Sequence, residues 1–237
     1  MTGRGKADLH MHTRHSDGAP TVHALLEHVA AQTDLDVIAI TDHDTIAGAL
    51  EAQHILRHEQ YPFEVIVGEE VSTREGHLVG LFLHELIRPG RSAAETVTAI
   101  HAQGGVAFAP HPFFRAYQTT GRPITMLGLG TVVAELALDA IETSNATPFL
   151  AGANRKAARY NQMRRLPALG NSDGHILAAV GKGYTSFPGA TAQDLYRAIQ
   201  AGQTTACTRD YTPRELLAYL RFWLRIQRRV AAAPQVA

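Results

Sequence analysis

The sequence predicts an α/β barrel that carries its chemistry at the C-terminal ends of its strands, and three observations lead there. Short, continuously apolar runs such as Val37-Ile38-Ala39-Ile40 and Val106-Ala107-Phe108-Ala109 alternate with stretches of helical spacing, the pattern of parallel strands covered on both faces. Nearly every run ends in a burst of His, Asp or Glu, where barrel enzymes place their reactive groups. The 237 residues suit one α/β unit of this kind.

The first strand and its exit loop read Ala7-Asp8-Leu9-His10-Met11-His12-Thr13-Arg14-His15-Ser16-Asp17-Gly18. Side chains at i and i+2 share one face of a strand, so His10 and His12 point together while Leu9 and Met11 enter the opposite layer. Alone, the pair is a weak signal, because a chain with 13 histidines carries about one such spacing by chance. Residues 20–32 then place Val22, Leu25, Leu26 and Val29 at helical spacing. The strand over residues 36–41 delivers Asp42-His43-Asp44, followed by a helix over residues 46–57. Asp42 and Asp44 are each a candidate helix N-cap, Asp44 foremost, whereas the His43 ring has no capping role.

A third strand begins at residue 63 and ends in Gly68-Glu69-Glu70-Val71-Ser72. Adjacent glutamates point opposite ways, so one faces the barrel axis, and Glu70 is expected to be that one. The turn at residues 73–76 leads into a strand starting at His77, which an antiparallel pairing would bring to the rim occupied by Glu70. A helix over residues 93–103 stops at Gly104-Gly105, and the strand over 106–109 runs into Pro110-His111-Pro112, whose prolines stiffen the backbone around His111. Residues 125–138 are expected to be helix or loop. The strand at 139–143 leaves Glu142 and Asn145 at its end, either supporting the site or merely solvated. Residues 149–165 form a basic helix with a solvated outer face, and residues 167–171 a strand that ends in Ser172-Asp173-Gly174-His175. Strand candidates at 183–187 and 204–207 flank a helix over 192–200. A basic amphipathic helix over residues 212–230 follows, with Pro213 in its first turn, and its apolar stripe (Leu216, Leu217, Leu220, Trp223, Leu224, Ile226) is expected to pack on the barrel wall. The domain reading is therefore a barrel over residues 1–211, this helix over 212–230, and a disordered tail over 231–237.

Lys and Arg together number 22, as do Asp and Glu, so no global field favours nucleic acid or membrane, and neither stable nucleic-acid binding nor a membrane span is expected. The single Cys207 and the absence of an apolar N-terminal segment make a reducing cytoplasm the expected compartment. Neither a G-x-S-x-G nor a phosphate-loop motif occurs. The candidate ligands are His10, His12, Asp17, His43, Glu70, His77, His111, Asp173 and His175. One ion takes about four protein ligands, so such a set suits two or three, and mixed imidazole and carboxylate donors suit Zn²⁺, Mn²⁺ or Fe²⁺.

Four stretches together resemble the polymerase-and-histidinol-phosphatase (PHP) family of metal-dependent phosphoesterases: Asp8-Leu9-His10-Met11-His12-Thr13 with Ser16-Asp17-Gly18, Thr41-Asp42-His43-Asp44, His111-Pro112, and Ser172-Asp173-Gly174-His175. Gly68-Glu69-Glu70-Val71-Ser72 and Gly76-His77-Leu78-Val79-Gly80-Leu81 match in order between them. The resemblance implies a distorted (β/α)7-type barrel with a multinuclear metal site. It also implies that His10, His12, Glu70 and Asp173 hold one ion, that Glu70 bridges to a second held by His77 and His111, and that Asp17, His43 and His175 hold a third. His15 has no counterpart in the family and is read as a loop residue. Asn171 and Gly174 depart from the glycine and alanine that the family often has there.

The function implied is hydrolysis of a small phosphate ester, a phosphomonoester or nucleotide, by a metal-bound hydroxide. Asp17, His43 and His175 are the expected catalytic group, placing a cation on the leaving-group side. Arg14, Arg74, Arg115 and Arg122 in the rim loops are candidate phosphate contacts. Two alternatives stand beside this: an accessory metal-binding module that works with a polymerase or other partner, and hydrolysis of an amide or lactone.

Overall fold

The computed structural model describes residues 3–114 and 127–232. In chain order its elements are β1 (Arg4–Asp8), α1 (Val22–Gln32), β2 (Val37–Ile40), α2 (Ala47–Ile55), β3 (Glu64–Ser72), β4 (His77–Leu81), α3 (Ala93–Ala102), β5 (Val106–Ala109), β6 (Ala140–Asn145), α4 (Ala151–Arg164), β7 (Ala168–Asn171), β8 (Gly183–Pro188), α5 (Ala192–Gln200), β9 (Thr205–Thr208) and α6 (Pro213–Ala232). Between β5 and β6 the described residues contribute only a short 3-10 turn at Gly130–Ala134.

The strands form one sheet in the order β7-β6-β5-β4-β3-β2-β1-β8-β9. β1, β2 and β3 are mutually parallel, as are β5, β6 and β7, and β4 runs against both of its neighbours. The sheet curls until its two sides nearly meet. Past β1, the His12 N–H donates to Gly174 O (3.1 Å) and the Gly174 N–H to His10 O (3.2 Å), which joins the β1 and β7 exits directly. Towards the opposite end the β8–β9 hairpin fills the gap. β8 pairs antiparallel with β1, and the Thr185 hydroxyl bonds both Gly170 N (3.1 Å) and Gly170 O (3.0 Å) of β7. This closure requires Gly183, where an added Cβ would stand 1.9 Å from Asn171 O.

Strand alternation builds two layers. Val37 and Ala39 of β2 join an inner core with Leu9, Val79, Phe108, Leu169 and Phe187, while Ile38 and Ile40 face the helices with Leu25, Leu26 and Ala52. β5 divides likewise, Phe108 inward and Ala107 and Ala109 outward. Both faces of these strands are buried, as the continuous apolar runs required. α5 adds Leu195, Ala198 and Ile199 to the inner core, and the Ala192 N–H bonds Glu64 at the start of β3, so α5 sits at the N-terminal end of the barrel and leaves the other end open.

Two expectations are corrected. Neither Asp42 nor Asp44 caps α2, which has no side-chain cap. Asp44 instead adopts a left-handed backbone (φ 54°) and accepts the Ser72 N–H at 2.7 Å. Asp42 accepts the Thr13 N–H (2.7 Å), the Thr13 hydroxyl (2.6 Å) and the Ser16 hydroxyl (2.6 Å), tying the β1 exit loop to β2. On α6 the leucine stripe is the outer side: Leu216, Leu217, Leu220, Trp223 and Leu224 are all 43–50% exposed. Its inner side carries Glu215, Ala218, Tyr219 and Phe222, with Glu215 paired to Lys182 (2.7 Å). The tail reading falls largely on residues 233–237, which lie outside the described residues. No helix among the described residues is long and apolar enough to cross a membrane.

Candidate metal centre

All nine candidate ligands meet at the open end. His10 and His12 arrive from the β1 exit, Asp17 from the loop beyond it, His43 from the β2 exit and His111 from β5. Asp173 and His175 arrive from β7. β3 continues unbroken through both glutamates, so strand parity decides their fates. Glu70 enters the cluster, and Glu69 turns outward to accept the Ile87 N–H (2.9 Å), its carboxyl pushed up to about 7 by burial. Because β4 is antiparallel to β3, its first residue, His77, returns to the same rim.

Glu70 is the hub. Its Oε2 lies 3.1 Å from His10 Nε2, 3.3 Å from His12 Nε2 and 3.4 Å from His43 Nδ1, and its Oε1 lies 2.8 Å from His77 Nδ1 and 3.0 Å from His111 Nε2. Asp173 Oδ1 stands 3.3 Å from His12 Nε2 and 3.5 Å from both His10 Nε2 and His175 Nδ1. Asp17 Oδ1 faces His175 Nε2 (3.2 Å), His12 Nδ1 (3.8 Å) and His43 Nε2 (3.9 Å). Within this cluster four groups of donor atoms fall within 4.8 Å of one another, His12-Asp17-His43-His175, His10-His12-Asp173, His10-Glu70-His111 and His43-Glu70-His77, and a fifth, exposed group of His23, Glu27 and Glu59 stands apart from it. His12 lies in two of these groups, with His10 and Asp173 and with Asp17, His43 and His175, and Glu70 Oε1 is shared by His77 and His111.

Electrostatics shows what such a set needs. Burial opposes ionisation of Glu70, yet the His43, His10 and His77 rings hold its carboxyl well below the usual range. Asp173 is held down in the same way, against burial, chiefly by His10 and His12, and Asp17 chiefly by His175. The rings respond. Burial alone would lower His12, but Asp173 and Glu70 push it up to about 10, and His10, His77 and His175 are also raised. His43 moves the other way, to about 4, under burial with His12 and His77 nearby. Three ionised carboxylates, two of them buried, therefore require positive charge beside them, which divalent cations held by neutral imidazoles would supply. Among the described residues, both ring nitrogens of His12, His111 Nδ1 and Asp17 Oδ1 are buried without a hydrogen-bond partner. The donor set fits divalent metal ions.

Beneath the cluster lies a bracket that sequence reading left ambiguous. Glu142, 1% exposed, faces His10 Nδ1 (3.3 Å) with Oε1, which also accepts from Asn171 Nδ2 (2.8 Å). Its Oε2 accepts the His111 N–H (2.6 Å) and Asn145 Nδ2 (2.9 Å), and Asn145 Nδ2 also reaches Asp173 Oδ2 (3.1 Å). These bonds hold two residues in the left-handed region, His111 (φ 27°) and Asp173 (φ 52°), a conformation that persists only where the surroundings over-determine it. Asn171, a departure from the family pattern, also accepts the Leu9 N–H (3.1 Å). The only sequence signal for the bracket was a Glu and an Asn at one strand end.

Of the four candidate arginines, the two among the described residues are engaged away from this site. The Arg14 guanidinium bonds Ala19 O (2.8 Å), Arg74 pairs with Glu95 (3.3 Å), and Arg115 and Arg122 lie outside the described residues. His15 pairs with Glu51 (2.6 Å) as a loop residue.

A near-closed β/α barrel with a buried, multi-donor His/Asp/Glu cluster at one end defines a class of metal-dependent proteins. Within it, this chain belongs to the PHP family: the PHP domain model matches residues 8–126, and a PHP-associated model matches 151–204. An uncharacterized protein of Methanocaldococcus jannaschii is 38% identical over 152 residues, 60% of this chain and 82% of that protein. The 5'-3' exoribonuclease Rnm of Escherichia coli is 41% identical over 78 residues, only 31% of this chain and 26% of that enzyme. Among solved structures, a two-domain protein from Bacteroides vulgatus, described as containing a predicted PHP-like metal-dependent phosphoesterase, shares the fold with a TM-score of 0.68 at 19% identity, covering 93% of this chain and 70% of that one.

Proposed function

We propose that this protein is a metal-dependent phosphoesterase acting on a small phosphate ester, a phosphomonoester or nucleotide. The observation that carries the reading is Glu70, one carboxylate shared by five imidazoles at the open end of a PHP barrel. His10, His12, Asp17, His43, Glu70, His77, His111, Asp173 and His175 would hold two or three divalent ions, with Zn²⁺, Mn²⁺ or Fe²⁺ the best matches to the donors. Such ions activate water and neutralise phosphate charge.

The chain's own contribution is orientation. Asp17, His43 and His175 have side chains 35%, 19% and 13% exposed, whereas the other six ligands are at most 9% exposed, so substrate reaches the cluster from their side. His175 donates its Nδ1–H to Asp173 O (2.9 Å), which turns Nε2 towards Asp17. His43, lowered to about 4, stays neutral at physiological pH and keeps one ring nitrogen lone pair available. Arg14 and Arg74 are bound elsewhere, so neither of them shares with the cluster in charge capture of the phosphate.

The test is turnover of a generic phosphomonoester, a phosphodiester and a nucleoside 3',5'-bisphosphate by protein loaded with Mn²⁺ or Zn²⁺, with His12→Ala and Asp173→Ala as controls. Hydrolysis lost in both controls supports the reading. Full metal occupancy with no turnover of any substrate overturns it.

A further inference from the structure

The open side of the cluster carries aromatic side chains that the metal chemistry does not use. On α6, Phe222 places its ring 6.2 Å from the His175 ring. One turn earlier, Tyr219 lies in the field of Asp173 and beside Thr147, so it links α6 to the loop between β6 and α4. That loop presents Phe149, which is 97% exposed and held at φ 76°. A bulky residue in the left-handed region is a steric outlier, and one that also exposes nearly all of its apolar surface gains nothing from packing. Strain of this kind concentrates at ligand clamps. The loop starts from Asn145, whose amide holds Asp173, so the segment that carries Phe149 leaves β6 beside the cluster. Phe149, Tyr219 and Phe222 all fall outside residues 8–126 and 151–204, the parts that match the family models.

We propose that Phe149 and Phe222, with Tyr219 between them, form an aromatic clamp that selects phosphate esters carrying a planar ring, of which a nucleobase is the chief example. The clamp rests on the phosphoesterase reading, since it positions the organic part of the ester whose phosphate lies on the cluster. The two candidate arginines among the described residues are engaged elsewhere, Arg14 with Ala19 O and Arg74 with Glu95, and stacking suits the organic part of the ester because every base has a π-face.

The experiment compares a nucleoside 5'-monophosphate with glycerol phosphate, in turnover by the Mn²⁺-loaded protein and in calorimetric binding. Phe149→Ala leaves the fold intact because that side chain touches solvent, and Phe222→Tyr keeps a ring where Phe222→Ala removes one. The expected result is a roughly tenfold rise in KM and Kd for the nucleotide in Phe149→Ala and Phe222→Ala. Phe222→Tyr should retain tight binding, and kcat and all glycerol phosphate parameters should stay unchanged. Equal effects on both substrates, or none on the nucleotide, overturn the clamp. If the wild type hydrolyses neither ester, the phosphoesterase reading fails and calorimetry alone decides. Nucleotide binding weakened by both alanine variants then supports the clamp, and binding that is absent or unchanged overturns it.

Discussion

Glu142 shows how much of this site is held by a residue that belongs to no ligand group. Its two oxygens serve a ring nitrogen, a backbone N–H and two asparagine amides, all buried. Glu142→Gln keeps the shape but turns an NH₂ towards groups that are themselves donors. Outer carboxylates that orient metal-binding histidines are worth 10–100-fold in affinity. Mn²⁺ or Zn²⁺ affinity measured by calorimetry should therefore fall about 10–100-fold in this variant while the circular dichroism spectrum is kept. An unchanged affinity would mean that the His10 ring needs no such partner. The donors that now converge were legible in the sequence because strand parity and strand-end position are local facts: His10 and His12 share a face, and one of two adjacent glutamates turns inward, the family resemblance deciding for Glu70. Glu142 was not, since its partner His10 lies 132 residues away and the contact depends on where the barrel closes.

At the scale of elements, α3 and α5 each begin with a capping box. Ser92 accepts the Glu95 N–H and Thr191 accepts the Asp194 N–H, while each carboxylate reaches back to the cap backbone. Ser92→Ala should lower unfolding stability by about 1 kcal/mol, read by denaturant titration, with no effect on metal binding. The α5 box carries a pH signature. Thr191 and the Ala190 and Thr191 N–H groups hold the Asp194 carboxyl at about 2, below its ordinary 3.8. A depressed acid stabilises the fold above its unfolded value and loses that contribution as pH falls through the folded one, so the box weakens between pH 3.8 and about 2. A carboxyl titration of Asp194 with its midpoint at 3.8 would contradict this. Helices and strands were legible nearly to the residue where periodicity or an apolar run was unbroken, as in β5 and α5. α6 was not, because a stripe of leucines records amphipathicity but not which side meets the barrel. In the fold the aromatic side, Tyr219 and Phe222, turns inward. The α2 caps failed for a related reason: Asp42 and Asp44 bind groups on neighbouring strands that local sequence cannot show.

For the whole molecule, the nine donors come from six strands distributed around the barrel, so an ion bound there joins elements that the sheet alone connects only in sequence. The unfolded chain offers no such assembled site, and binding to the native state alone stabilises it by an amount set by free metal over Kd. At a hundredfold excess over Kd, one site contributes about 2.7 kcal/mol, and a chain of this size gains roughly 2–4 °C in Tm per kcal/mol. Chelation should therefore lower Tm by about 5–10 °C, with recovery on adding back Mn²⁺ or Zn²⁺. The Asp173→Ala protein should show little response to the chelator, since it lacks a carboxylate shared by His10, His12 and His175. The stabilisation also has a pH sign. Imidazoles bind metal only when neutral, and in the stripped protein the carboxylates raise His12 to about 10 and raise His10, His77 and His175 as well, so protonation already competes above the ordinary histidine value of 6.5 and the gap between loaded and stripped protein should narrow steadily as pH falls through neutrality. A Tm indifferent to chelator at neutral pH would show that protonated rings alone balance Glu70, Asp17 and Asp173, and that the cluster closes the barrel without an ion.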